Sequence, residues 1–107
     1  MKVVYCSGPI TLGNQEANVL QAILTAEKFI AMGLIPYVPH LSWFWGHLFY
    51  HDFDYWMRMD FEWISRCDCL FRIPGESKGG DMEVEHAKSL GKPVFYDMES
   101  IETWSKE

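Results

Sequence analysis

Positive charge is scarce in this sequence: nine lysines and arginines stand against fifteen aspartates and glutamates, a formal net charge of −6. Proteins that bind nucleic acid polymers or anionic membrane surfaces display clustered cations, so neither partner is expected and any anionic ligand has to be held locally. Long apolar runs are also missing. No stretch reaches the roughly 18 residues of a membrane span, and the chain opens on a strand-like segment rather than a signal peptide, which leads to the expectation of a cytoplasmic protein. Cysteine is limited to Cys6, Cys67 and Cys69, an odd number that argues against a disulfide framework. The Cys67-x-Cys69 pair has no companion metal ligands and reads as two buried thiols. Neither G-x-G-x-x-G nor G-K-[ST] nor HExxH occurs. His40, His47 and His51 lie near Asp52 and Asp54 without a ligand spacing, so no metal and no cofactor are expected.

What is present is apolar and aromatic. Nearly half of the 107 residues are hydrophobic and 16% are aromatic, enough for one folded domain over residues 1–107. Residues 2–6 (KVVYC) read as a buried strand running into a loop at Ser7-Gly8-Pro9. A helix follows, with Asn14 as N-cap, Val19, Ile23, Ala26 and Ile30 as its apolar stripe, and Gly33 as its end. Residues 34–38 form a second strand, residues 55–66 a helix with a stripe of Trp56, Met59, Trp63 and Cys67, and residues 69–73 (CLFRI) a third strand. A helix from about Gly80 to Leu90, a strand at residues 93–96 and a short helix from Ser100 complete the pattern. Strands alternating with helices imply a Rossmann-like or flavodoxin-like three-layer α/β sandwich with a small parallel sheet of four to five strands. Ligands bind such sheets beyond the carboxyl ends of the strands, which directs attention to residues 7–14, 39–55 and 74–80.

The loop at residues 74–80 (PGESKGG) offers the Ser77 hydroxyl and the amides of Gly79 and Gly80 ahead of a helix, and SGPITLGN at residues 7–14 has a similar build. Either could hold an anion or be a simple turn. Three carboxylates follow the glycines, and a wheel of about 100° per residue separates them. With Glu83 at zero, Ala87 falls at about 40° and Leu90 at about −20°, whereas Asp81 and Glu85 fall at about 160° and about 200°. Glu83 therefore borders the inward face in what is expected to be the first helical turn, where it is either a dipole-complementing cap or an ionised nucleophile. Asp60 lies among Trp56, Trp63 and Ile64, where burial raises its pKa and suits it to donate a proton. Residues 41–55, crowded with Trp43 and other aromatics, read as a functional loop or short helical lid that is either a stacking wall for a base or an oligomer contact.

VYCSGPIT at the first strand, DFEWISRCDCLFRIPG in the middle and ESKGGDMEVEHAKSLGKPV after it resemble the nucleoside 2-deoxyribosyltransferase-like superfamily over nearly the whole chain. Its small DUF4406-type proteins are nearest, and the deoxynucleoside 5'-monophosphate N-glycosidases are related. The resemblance implies cleavage or transfer of an N-glycosidic bond in a nucleoside or nucleotide, with Glu83 as catalytic nucleophile and Asp60 contacting the base. It places Tyr5, Ser7, Gly8, Pro9, Ile10, His40, Trp43, Ser77, Gly79 and Gly80 around the substrate, with Ser77 toward a 5'-phosphate. Thr11 and Leu12 stand where the monophosphate enzymes carry an arginine. The same resemblance implies a homodimer or higher oligomer. A non-catalytic nucleotide- or nucleoside-binding module is the alternative within the same fold.

Overall fold

Side-chain alternation along the first strand decides which residues meet which layer. The structure, a computed structural model, describes residues 1–107. In β1 (Val3–Ser7), Val4 and Cys6 face a core shared with α1 (Gln15–Ala31) and α5 (Met98–Ser105), while Tyr5 faces the opposite core beneath α3 (Phe53–Arg66) and α4 (Lys78–Ser89). The remaining strands, β2 (Ile35–Tyr37), β3 (Cys69–Arg72) and β4 (Val94–Phe95), pair parallel to give the order β2-β1-β3-β4. The protein is thus a three-layer α/β sandwich with four parallel strands, as expected. Pro36 lies in β2 at one edge of the sheet, where its missing N–H breaks no central ladder. No helix is long and apolar enough to cross a membrane.

The chain leaves β1 through α1 on one face and β3 through α4 on the other, so the two connections diverge between adjacent strands. That divergence opens a crevice at the carboxyl ends of β1 and β3, the usual ligand position in a sheet of this order. A 3-10 turn at Pro39–Leu41 leads into residues 41–55, which read as a loop or short helical lid and form a short helix α2 (Ser42–Leu48) that overhangs the crevice before α3 begins. α2 buries none of its own residues.

Two helical stripes differ from the expected ones. On α1 the buried residues are Ala22, Thr25, Ala26 and Phe29, whereas Ile23 and Ile30 are exposed. The small alanines let the helix approach the sheet, and Phe29 fills the gap edge-on against Phe71 at 5.1 Å between ring centroids. On α3 the inward residues are Met57, Asp60 and Ile64 rather than Trp56, Met59 and Trp63. Trp63 instead stacks on Tyr37 with centroids 4.8 Å apart, and Trp56 lines the crevice. Leu90 is the C-cap of α4 and is exposed, outside the inward face.

Candidate active site

Four elements bring the buried polar groups together. Ser77 is the N-cap of α4: its Oγ accepts the Gly80 N–H at 2.9 Å, so the helix starts at Lys78, two residues earlier than glycine content suggests. Two consequences follow. The Gly80 amide is engaged by the cap and not open to a ligand, and Glu83 sits in the second turn, beyond the reach of the strongest dipole effect. The wheel nevertheless holds: Glu83 is buried on the inward face, while Asp81 and Glu85 are exposed.

Other groups hold the charge of Glu83. The Ser7 hydroxyl donates to Oε1 at 2.7 Å, and the Tyr5 hydroxyl donates to Oε2 at 2.8 Å. Ser7 is the last residue of β1 and Tyr5 lies two positions before it, so strand alternation aims both side chains at α4. Burial, with the nearby carboxylates, pushes the Tyr5 phenol well above its ordinary range, which keeps it a donor. Asp60, delivered by α3, is buried on the same cavity wall as Glu83, where each carboxyl feels the other's charge. Burial, reinforced by the Glu83 charge, pushes the Asp60 carboxyl up to about 8. Burial also raises Glu83, but hydrogen bonds from Ser7, Asp60 and Tyr5 and the charge of Arg72 act in the opposite direction. Two coupled, buried carboxyls share one proton, and two hydroxyl donors converge on Glu83. That arrangement favours the proton on Asp60 and the negative charge on Glu83.

Asp60 and Glu83 open onto a cavity of about 520 Å³ beneath α2. Of the residues expected around a substrate, Gly8, Ile10, Trp43, Ser77, Gly79 and Gly80 line it. Tyr5 and Ser7 lie behind Glu83 and act through it, and Pro9 is set back from the wall. His40 also stands behind the wall. It is fully buried, neither ring nitrogen has a protein partner, and burial pushes its pKa down to about 4, opposed by the Pro9 and Gly8 carbonyls. Gly8 is required by packing, because a Cβ there would lie 2.8 Å from Ile73 Cβ. Further lining residues, unassigned by sequence reasoning, are Thr11, Gln15, His47, Phe53, Trp56, Met57 and Lys78. Gln15 Oε1 accepts the Trp43 indole N–H at 2.8 Å and ties α2 to the start of α1. No group of three or more His, Cys, Asp or Glu side chains is brought together as a metal site, and His51 stacks on Tyr55 instead.

A parallel α/β sheet with a buried carboxyl pair at its β1–β3 crevice defines a small flavodoxin-like domain with a largely apolar pocket at the strand ends. Residues 2–96 match the family described as Domain of unknown function (DUF4406), and the chain belongs to that family. Among solved structures, it is similar to a 2-deoxyribosyltransferase from the psychrotolerant bacterium Bacillus psychrosaccharolyticus, with a TM-score of 0.64 and 22% identity over 86% of this chain and 69% of that one. It is likewise similar to a 2-desoxiribosyltransferase from Leishmania mexicana, with a TM-score of 0.60 and 20% identity over 88% of this chain. The match spans 62% of the Leishmania chain. These likenesses establish the shared fold, and the expected membership of the DUF4406 family is borne out by the family match. A search of curated proteins finds no match.

Proposed function

We propose that the protein cleaves the N-glycosidic bond of a nucleoside or nucleoside 5'-monophosphate through Glu83. The observation that carries this reading is the buried pair of Asp60 and Glu83, both facing the cavity, with the Ser7 and Tyr5 hydroxyls donating to Glu83. A carboxylate oxygen of Glu83 attacks the anomeric carbon as the carbon–nitrogen bond breaks, and the bonding electrons leave with the base nitrogen. Asp60 gives its proton to the departing base, leaving a glycosyl ester on Glu83. Water then attacks the anomeric carbon and Asp60 takes its proton, which frees Glu83 and restores the pair. A second base in place of water gives transfer.

Trp43, Trp56 and Phe53 on the cavity wall offer faces on which a base stacks, and the likeness of fold to proteins described as deoxyribosyltransferases supports a nucleoside substrate. Lys78 is the one cation on the wall and, with Ser77, suits a 5'-phosphate in the monophosphate case. We propose further that the chain self-associates, on the basis of the row Leu20, Ile23, Leu24 and Ile30, which is exposed along α1.

The reading is tested by incubating the protein with a panel of nucleosides and their 5'-monophosphates and separating free base by chromatography. Base release from at least one substrate is expected. Thermal stabilisation by a nucleoside with no base released over long incubation would instead establish a binding module.

A further inference from the structure

Arg72 is the one cation in an otherwise apolar strand, and the proposed chemistry gives it no part. It lies at the end of β3, paired in register with Ser7, and is only 8% exposed. Its guanidinium donates to the Ile73 carbonyl, to the Gly75 carbonyl at 2.9 Å and to Asp81 Oδ1 at 3.1 Å. One side chain therefore ties together both ends of the connection from β3 to α4. It also explains Gly80, where a Cβ would lie 2.9 Å from the guanidinium carbon. Asp81, the only carboxylate in contact with the guanidinium, has a side chain 76% exposed to solvent, so water screens that pair and leaves much of the buried charge uncompensated.

We infer that Arg72 is a positioning residue for Glu83: it fixes the loop between β3 and α4 and supplies the buried positive charge that the Glu83 carboxylate faces. Its value for catalysis rests on the proposed reading of Glu83 as nucleophile. The other titratable groups facing Glu83 are Tyr5 from β1, Tyr37 from β2 and Asp60 from α3, all neutral when the pair holds its shared proton. Arg72 pairs in register with Ser7, the donor to Glu83 Oε1, so its side chain leaves the sheet on the face that carries Glu83, and its charge acts to lower the Glu83 pKa.

The test is a carboxyl-carbon NMR titration of Glu83 in wild type, Arg72→Gln and Arg72→Lys, with amide hydrogen exchange of residues 75–80 measured on the same samples. In Arg72→Gln the Glu83 midpoint is expected to rise by about one pH unit. Arg72→Lys keeps the charge but loses the planar fork, so the midpoint stays near wild type while the loop amides exchange on the order of tenfold faster. An unchanged midpoint in folded Arg72→Gln overturns the inference, and so does unchanged loop exchange in Arg72→Lys. If Arg72→Gln does not fold, the Arg72→Lys result decides alone: faster loop exchange with the Glu83 midpoint retained supports the inference, and any other outcome overturns it. Both readouts are independent of turnover. A protein with these shifts that releases no base contradicts the nucleophile assignment and leaves the role of Arg72 standing.

Discussion

The Tyr5 hydroxyl donates to Glu83 Oε2 across 78 positions of sequence, at 2.8 Å, with both residues buried. Together with the Ser7 contact to Oε1, it fixes both carboxylate oxygens and favours their ionised form. Tyr5→Phe removes one of these donors without changing the shape of the core. The expected outcome is a fall in kcat/KM of about tenfold or more, with the acid limb of the pH–rate profile moved up by up to about one unit. A profile superimposable on wild type would show that the contact has no bearing on Glu83.

Asp60 holds its proton up to about pH 8 in the folded protein and releases it near 4 once unfolded. Its folded pKa is raised, so its contribution to stability is most favourable at low pH and declines as pH rises from about 4 to about 8. Asp60→Asn removes that dependence. Denaturant titrations should find the variant more stable than wild type at pH 7.5 by roughly 2–4 kcal/mol, and little different at pH 4. The same variant should lose the basic limb of the activity profile along with most of the activity, since Asn has no proton to give the leaving base.

His40 acts on stability with the opposite sign. Burial lowers its folded pKa to about 4, so the stability it contributes is present above about 6.5, the unfolded value, and is lost as pH falls toward 4. His40 and Asp60 thus oppose each other between about pH 4 and 6.5. Glu83, also raised by burial, contributes in the same interval, so the His40 term is isolated by comparing Asp60→Asn with and without His40→Gln: the change in stability from pH 6.5 to 4.5 should differ between the two by about 2 kcal/mol. An identical change in both would contradict the neutral burial of His40.

The Trp43–Gln15 hydrogen bond is the polar tie between α2 and the start of α1, on a helix that buries none of its residues. A neutral bond of this kind contributes about 1 kcal/mol. Gln15→Ala should therefore raise KM by about fivefold with kcat within about twofold of wild type, because the chemistry lies on α3 and α4.

The exposed row on α1 is tested by sedimentation. Wild type is expected to run as a dimer or larger, and Leu20→Lys combined with Leu24→Lys to run as a monomer with an unchanged circular-dichroism spectrum. Monomeric wild type at micromolar concentration would contradict self-association.

Much of the architecture is legible in local chemistry. Asn14 accepts the Ala17 amide as a cap should, the strands fall where β-branched residues cluster, and the inward angle of Glu83 follows from helical periodicity alone. The errors share a cause. Apolar periodicity points to Ile23 and Ile30 on α1 and to Trp56 and Trp63 on α3, and of the expected α1 stripe Ala26 is buried, yet the space between helix and sheet admits Ala22 on α1 and the carboxyl of Asp60 on α3. Periodicity reports which residues are apolar, not how close a helix sits, and only tertiary packing sets that distance. Ser77 carried its own signal, a serine three residues before Gly80 at a helix start, but glycine content drew attention to the amides instead. Arg72 was visible as a lone cation in CLFRI; its link to Glu83 depends on which strands are neighbours, and the order β2-β1-β3-β4 is not written in any local stretch.

The central claim is that Glu83 breaks an N-glycosidic bond, and the most direct measurement compares free-base release by wild type and Glu83→Ala from the same nucleosides and nucleoside 5'-monophosphates. The account predicts release by wild type and a loss on the order of 10³-fold or more in the folded variant. Equal release by both proteins, or none by wild type from any substrate, would contradict it.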